Sequence, residues 1–312
     1  MADLHQPHDR LFRAVFSDPG EAVSLLQANL PPAARDRFDW TTLALRSGTF
    51  IDEELRHSQS DLLFHVNLAG SETSAAVYVL LEHQSSPDRW MPLRLLRYMC
   101  RIWEADLRDD PEQPALRSIV PVVFYQGERR WTYSTQFGDL FVGESHGLPW
   151  NPRFSHELFD QTALEPTAIG GGVKGRIAQL LIMAAFNHHL GPALQLVAEL
   201  LPLLTEAGAG LDERQQFYLY LLHTQDPGAV RKLRETLRQR GFAEGDEIMT
   251  YAEQLLAEGE AKGRAEGRLE ERIQIVQGLI EAGAAWNIIE TATGLTQAAF
   301  EELKARAADT DS

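Results

Sequence analysis

The chain has 312 residues, 44% of them hydrophobic and 24% charged, enough for a sizeable core and for two domains. A net charge of −16 excludes wholesale attraction to nucleic acid, so any such role must rest on a local site. The lone Cys100 excludes an intramolecular disulfide and a multi-cysteine zinc site, while the lack of a secretory N-terminus or a bilayer-length apolar run leads to a cytoplasmic, non-membrane expectation.

Apolar spacing predicts a helix over 8–30, bent or broken at Asp18-Pro19-Gly20 and stopped by Pro31 and Pro32. His8 and Asp9 are read as its cap, since an early carboxylate stabilises free amides and the positive dipole end. Strands follow at 42–50, 60–68 and 75–84, the last two flanking the turn-rich AGSETS. A helix over 92–107 precedes the apolar strand SIVPVVFY, residues 118–125, closed by Gln126-Gly127. The order is helix, three strands, helix, strand, an α/β pattern of αβββαβ type.

After Gly170-Gly171-Gly172 almost everything has helical spacing, at 176–190, 192–204, 213–222 and 229–240. Three segments result: a mixed domain over 1–165, a helical domain over 166–245, and a tail over 246–312. The tail begins as a long charged helix carrying Gly259, Gly263 and Gly267 between Ala257, Ala261 and Ala265. That stripe reads either as close packing against a partner helix or as a solvated connector. Three short helices divided at Ala282-Gly283 and Thr293-Gly294 end the chain. The last two have helix-turn-helix spacing, but Glu301 and Glu302 beside Lys304 suit packing or homo-oligomerisation better than a DNA groove.

The stretch VYVLLEHQSSP (77–87) delivers an acid and an amide to a strand end. In a symmetric hairpin turning between Ser71 and Glu72, residue 61 pairs with residue 82, so Asp61 stands opposite Glu82 and Gln84 shares their face. Facing carboxylates need water, an Arg, a shared proton or a divalent cation; Mg²⁺, with its preference for oxygen, suits the position best. Otherwise these acids are only solvated strand-end groups. Arg94, Arg97 and Arg101 share a helix face just after this strand. Either they contact phosphates or they form a solvated face paired with Glu104 and Asp106. Glu21 is a possible third carboxylate, read as a solvated first-turn acid, and Trp90, Trp103 and Trp131 are expected in the core. His188-His189 and His8-Asp9 lack the spacing of a metal site.

The series HDRLFRAVFSDP (8–19), GTFID (48–52), SDLLF (60–64), YVLLEHQSSPD (78–88), MPLRLLRYM (91–99) and VPVVFYQG (120–127) resembles the Rpn, or recombination-promoting nuclease, family, also described as YhgA-like transposases. The likeness runs in order through the first half, and AEGEAKGRAEGRLEER is similar to tails in that family. It implies a PD-(D/E)XK-type nuclease core and metal-dependent endonuclease activity on DNA. Asp61 matches the motif's first acid and Glu82 its second; Gln84 stands where many relatives of the wider fold keep lysine. The ion would be Mg²⁺, with Mn²⁺ or Ca²⁺ as alternatives, held by Asp61, Glu82 and the backbone carbonyl of His83. Two other classes stay open: a noncatalytic DNA-binding or regulatory protein that keeps the nuclease fold, and a helical oligomerisation protein.

Overall fold

A computed structural model describes residues 7–46, 62–70, 76–186, 189–244, 246–248, 250–251, 253–254, 273–280 and 282–301, with backbone alone for 76–82 and Glu144. One compact unit spans Asp3–Ile248, and the residues after Ile248 belong to a second. No described helix is long and apolar enough to cross a membrane.

The first unit opens with α1 (Pro7–Phe16) and α2 (Pro19–Asn29). The expected break falls between them because Asp18 turns out as an N-cap, its carboxylate accepting the Gly20 and Glu21 amides while Pro19 occupies the first turn. A one-turn helix, α3 (Pro32–Arg35), leads into β1 (Phe38–Leu45), which starts four residues before the strand predicted at 42–50. The strand begins early because Phe38 is buried and Trp40 is fixed, with its ring edge on Phe38 and its Nε1 donating to the Arg35 carbonyl. Residues 47–61, which include GTFID and Asp61, lie outside the described residues.

A five-stranded sheet in the order β1-β2-β3-β4-β5 is the centre of the unit. β2 (Leu62–Leu68) is antiparallel to β1 and to β3 (Ala76–Gln84); β4 (Ile119–Tyr125) and β5 (Glu157–Asp160) continue in parallel. The crossover from β3 to β4 is α4 (Met91–Asp109). Sequence pattern alone does not predict β5, since four residues with charged ends carry too little alternation to be recognised without their partner strand.

Alternation along the strands gives the sheet two covered faces. On one, Met91, Leu95, Tyr98 and Ile102 of α4 pack with Val123, Tyr125 and Trp131. On the other, Phe12 and Phe16 of α1 meet Phe124, with centroids 5.1 and 6.2 Å apart. Beyond α1 come α5 (Val173–Ala185), α6 (Leu190–Leu200), α7 (Leu211–Thr224) and α8 (Pro227–Gln239). α5 and α7 both contact α1. The change of style near residue 165 therefore falls inside a single compact unit.

In the second unit, helical residues 273–280, α9 (Trp286–Thr293) and a short helix from residue 297 are divided at Gly283 and Gly294, both in the left-handed region. Val276, Ile289, Leu295 and Phe300 form its small core. The glycine-alanine stripe over 257–267 lies outside the described residues.

Candidate active site

β3 runs between β2 and β4, so its end is an interior position of the sheet. β2 and β3 pair with Leu62 opposite Leu81 and Asn67 opposite Ala76, the register expected for this hairpin. Asp61 itself lies outside the described residues. Glu82 is described by its backbone, opposite Val123; His83 and Gln84 follow opposite Phe124 and Tyr125. The Gln84 side chain folds back, its Nε2 donating to the His83 carbonyl at 2.9 Å. That carbonyl is thus already an acceptor for the neighbouring amide.

Gly127, just past β4, holds the two strand ends together. A Cβ there would sit 2.2 Å from the Ser85 carbonyl oxygen and 2.6 Å from the Tyr125 hydroxyl, so the QG pair after the apolar run is a steric requirement of this site. The Tyr125 hydroxyl in turn donates to the Arg129 carbonyl.

His83 points toward α1 and is 1% exposed. Its Nδ1 donates to Asp9 Oδ1 at 2.6 Å, and its ring stacks on Phe12 with centroids 4.7 Å apart. Nε2 has no hydrogen-bond partner among the described residues. Asp9 is therefore more than a helix cap: it anchors α1 to the strand end. His8 also has a tertiary partner, accepting from the Tyr220 hydroxyl of α7 at 2.6 Å beside the Phe186 ring. Burial, with the neighbouring His83 second, lowers the His8 pKa to about 4, so it is neutral near pH 7. Adjacent residues on one helix thus bind two different elements. Their spacing gave no metal pattern, and their tertiary role needed the positions of His83 and Tyr220 to be seen.

Glu21 corrects the expectation of a solvated acid. Its Oε2 accepts the Gly175 amide at 2.9 Å in the first turn of α5, joining α2 to that helix. Burial raises its pKa, and the Gly175 hydrogen bond opposes the rise. The glycine run makes room for it, as a Cβ on Gly172 would come within 2.5 Å of the same oxygen. The signal in the sequence was GGG opening a helix, a place where a carboxylate is welcome.

The expected arginine face divides. Arg94 is half-buried, 3.8 Å from Asp88 and over the Tyr98 ring, whereas Arg97 and Arg101 are exposed and Arg101 pairs with Glu104 at 3.1 Å. Asp106 is not part of this face. It is buried and held by Arg46 at 2.6 Å and Arg117 at 3.2 Å. Trp131 is buried as expected, but Trp90 is 53% exposed at the start of α4 with the Arg89 guanidinium 5.3 Å from its ring centroid.

Among the described residues no three His, Cys, Asp or Glu side chains converge as metal ligands; the Asp61 and Glu82 side chains lie outside the described residues. The donors named from the sequence, two carboxylates and the His83 carbonyl, are all oxygen, a set that fits a hard divalent cation.

Residues 6–212 match the family described as "Putative transposase, YhgA-like". The chain is similar to recombination-promoting nuclease RpnA of Escherichia coli (strain K12), with 26% identity over 304 residues covering 96% of each chain. It is 29% identical over 251 residues to recombination-promoting nuclease RpnD of Escherichia coli O157:H7, covering 80% of this chain and 94% of the relative. It is also 27% identical over 297 residues to the inactive recombination-promoting nuclease-like protein RpnE of strain K12, covering 94% and 95%. No solved structure matches.

Proposed function

The chain belongs to the YhgA-like transposase family, and from that membership we propose that it is a metal-dependent DNA endonuclease of PD-(D/E)XK type, acting in recombination or with mobile elements. The observation that carries this reading is the interior end of β3, where Glu82, His83 and Gln84 emerge beside β4 in a relative of proteins named as nucleases. Asp61 and Glu82 would hold Mg²⁺, or Mn²⁺ or Ca²⁺, with the His83 carbonyl. When bound, such an ion offsets charge on the phosphate and lowers the pKa of an attacking water.

The chain's own residues have separable tasks in this proposal. Gln84 offers an amide that can turn from the His83 carbonyl to position a water or a phosphate oxygen, although it lacks the charge of lysine. Asp9 and Phe12 fix His83, and with it the backbone on either side. Arg97 and Arg101 present guanidinium groups from the exposed part of α4, where they can take phosphates.

One observation favours a second reading, a DNA-binding protein without turnover: the chain is 27% identical to a relative named inactive. Incubating purified chain with supercoiled plasmid in Mg²⁺, Mn²⁺, Ca²⁺ or chelator separates the two. Nicked circles formed only with a divalent ion are the expected result. Plasmid that is bound but never nicked in any ion would leave the second reading standing.

A further inference from the structure

We infer that Trp90 is a stacking platform for an unpaired base of the DNA, set beside the β3 end, with Arg89 against it and Arg97 further along α4. The inference rests on the nuclease reading and adds to it the form of DNA that is recognised.

Position is the first argument. Met91, Leu95 and Tyr98 pack on Val123 and Tyr125, the two β4 residues opposite Glu82 and Gln84, so the start of α4 lies against the strand end. Trp90 is six residues beyond Gln84, a span of at most about 20 Å of extended chain. The intervening loop is ordered by Asp88, whose Oδ1 accepts the Trp90 amide at 2.8 Å and whose Oδ2 lies 3.8 Å from Arg94.

Exposure and charge supply the second. A tryptophan 53% exposed leaves a large π-surface in water, and Leu93, 41% exposed, extends the apolar patch. Arg89 lies over the indole, and Arg97 is exposed on the same side about two turns further along α4. Among the described residues neither arginine has a carboxylate within ion-pair distance, in a chain whose net charge is −16. One cation on an exposed indole and a second about two turns along the same helix are complementary to a base with its phosphates. Every base has a π-face, and guanidinium groups add both cation–π contact and phosphate binding.

The choice of an unpaired base over a duplex follows from access. Bases inside a duplex are stacked on one another and hide their faces, so an indole can accept only one that is single-stranded, at an end, or turned out of the helix.

The test is a fluorescence-anisotropy titration of the full chain against a short labelled single strand and the matching duplex, in chelator and in Ca²⁺. Trp90→Ala is expected to weaken single-strand binding about tenfold and duplex binding far less, while Trp90→Phe keeps most of the affinity. Arg97→Ala should weaken both forms to a similar extent, as a phosphate contact does. Single-strand affinity unchanged in Trp90→Ala, or lost equally with duplex affinity, overturns the platform. If the wild type nicks plasmid while Trp90→Ala binds unchanged, the platform alone fails; if the wild type binds neither form in either condition, the nuclease reading fails with it.

Discussion

On its α1 side the end of β3 is sealed: His83 is buried, bonded to Asp9 and stacked on Phe12, with Phe124 beyond. On its α4 side Met91, Leu95 and Tyr98 are packed, while Arg89, Trp90 and Arg97 are left to solvent. Both sides grow from the same strand, yet one fixes the backbone in place and the other offers charge and an aromatic surface. Alternation with period two puts His83 on the sealed side and Gln84 on the other.

The contrast can be broken most severely from the sealed side. Phe12→Ala removes the ring that touches His83, Phe16 and Phe124, and should cost about 4 kcal/mol in urea unfolding. Gly127→Ala should cost about 3 kcal/mol, because its methyl group would force Ser85 away from β4, and it should depress nicking more than duplex binding. A double-mutant cycle of Asp9→Ala and His83→Ala should return a coupling of about 2 kcal/mol; a value near zero would remove the anchor.

The sealed side also has a pH signature. The pKa of His8 is lowered to about 4, so the neutral imidazole contributes stability above its ordinary pKa near 6.5, and that contribution is lost as pH falls toward 4. Burial lowers His156 to about 4 as well, so the His8 share is isolated by comparison with His8→Gln. Between pH 6.5 and 4 the wild type should lose about 2 kcal/mol more than this variant. The open side should barely register in stability. Arg101→Ala breaks the exposed ion pair with Glu104 and should change unfolding by less than about 0.5 kcal/mol.

Much of this was legible in the sequence because it depends on local chemistry. The Asp18-Pro19 break, the hairpin register and the helix from residue 91 follow from caps, alternation and apolar spacing, and they were placed closely. β1 was misplaced because its start is decided by Phe38 and Trp40 packing rather than by its own pattern, and β5 exists only as a partner of β4. Asp9, Glu21 and Asp106 all looked like surface acids. Each is instead consumed by a group distant in sequence, His83, Gly175 and Arg46 respectively, and no local spacing encodes such a meeting. Trp90 failed in the other direction. Composition says tryptophan belongs inside, and only the direction of α4 leaves it out.

The nuclease assignment is tested most directly by comparing plasmid nicking in Mg²⁺ by wild type, Asp61→Ala and Glu82→Ala, with thermal melting to show that all three are folded. Removing a carboxylate from the proposed ion site should cut the nicking rate on the order of a hundredfold or more, with melting unchanged. Acid variants that are folded and nick as fast as wild type would contradict the assignment and move the chemistry away from the end of β3.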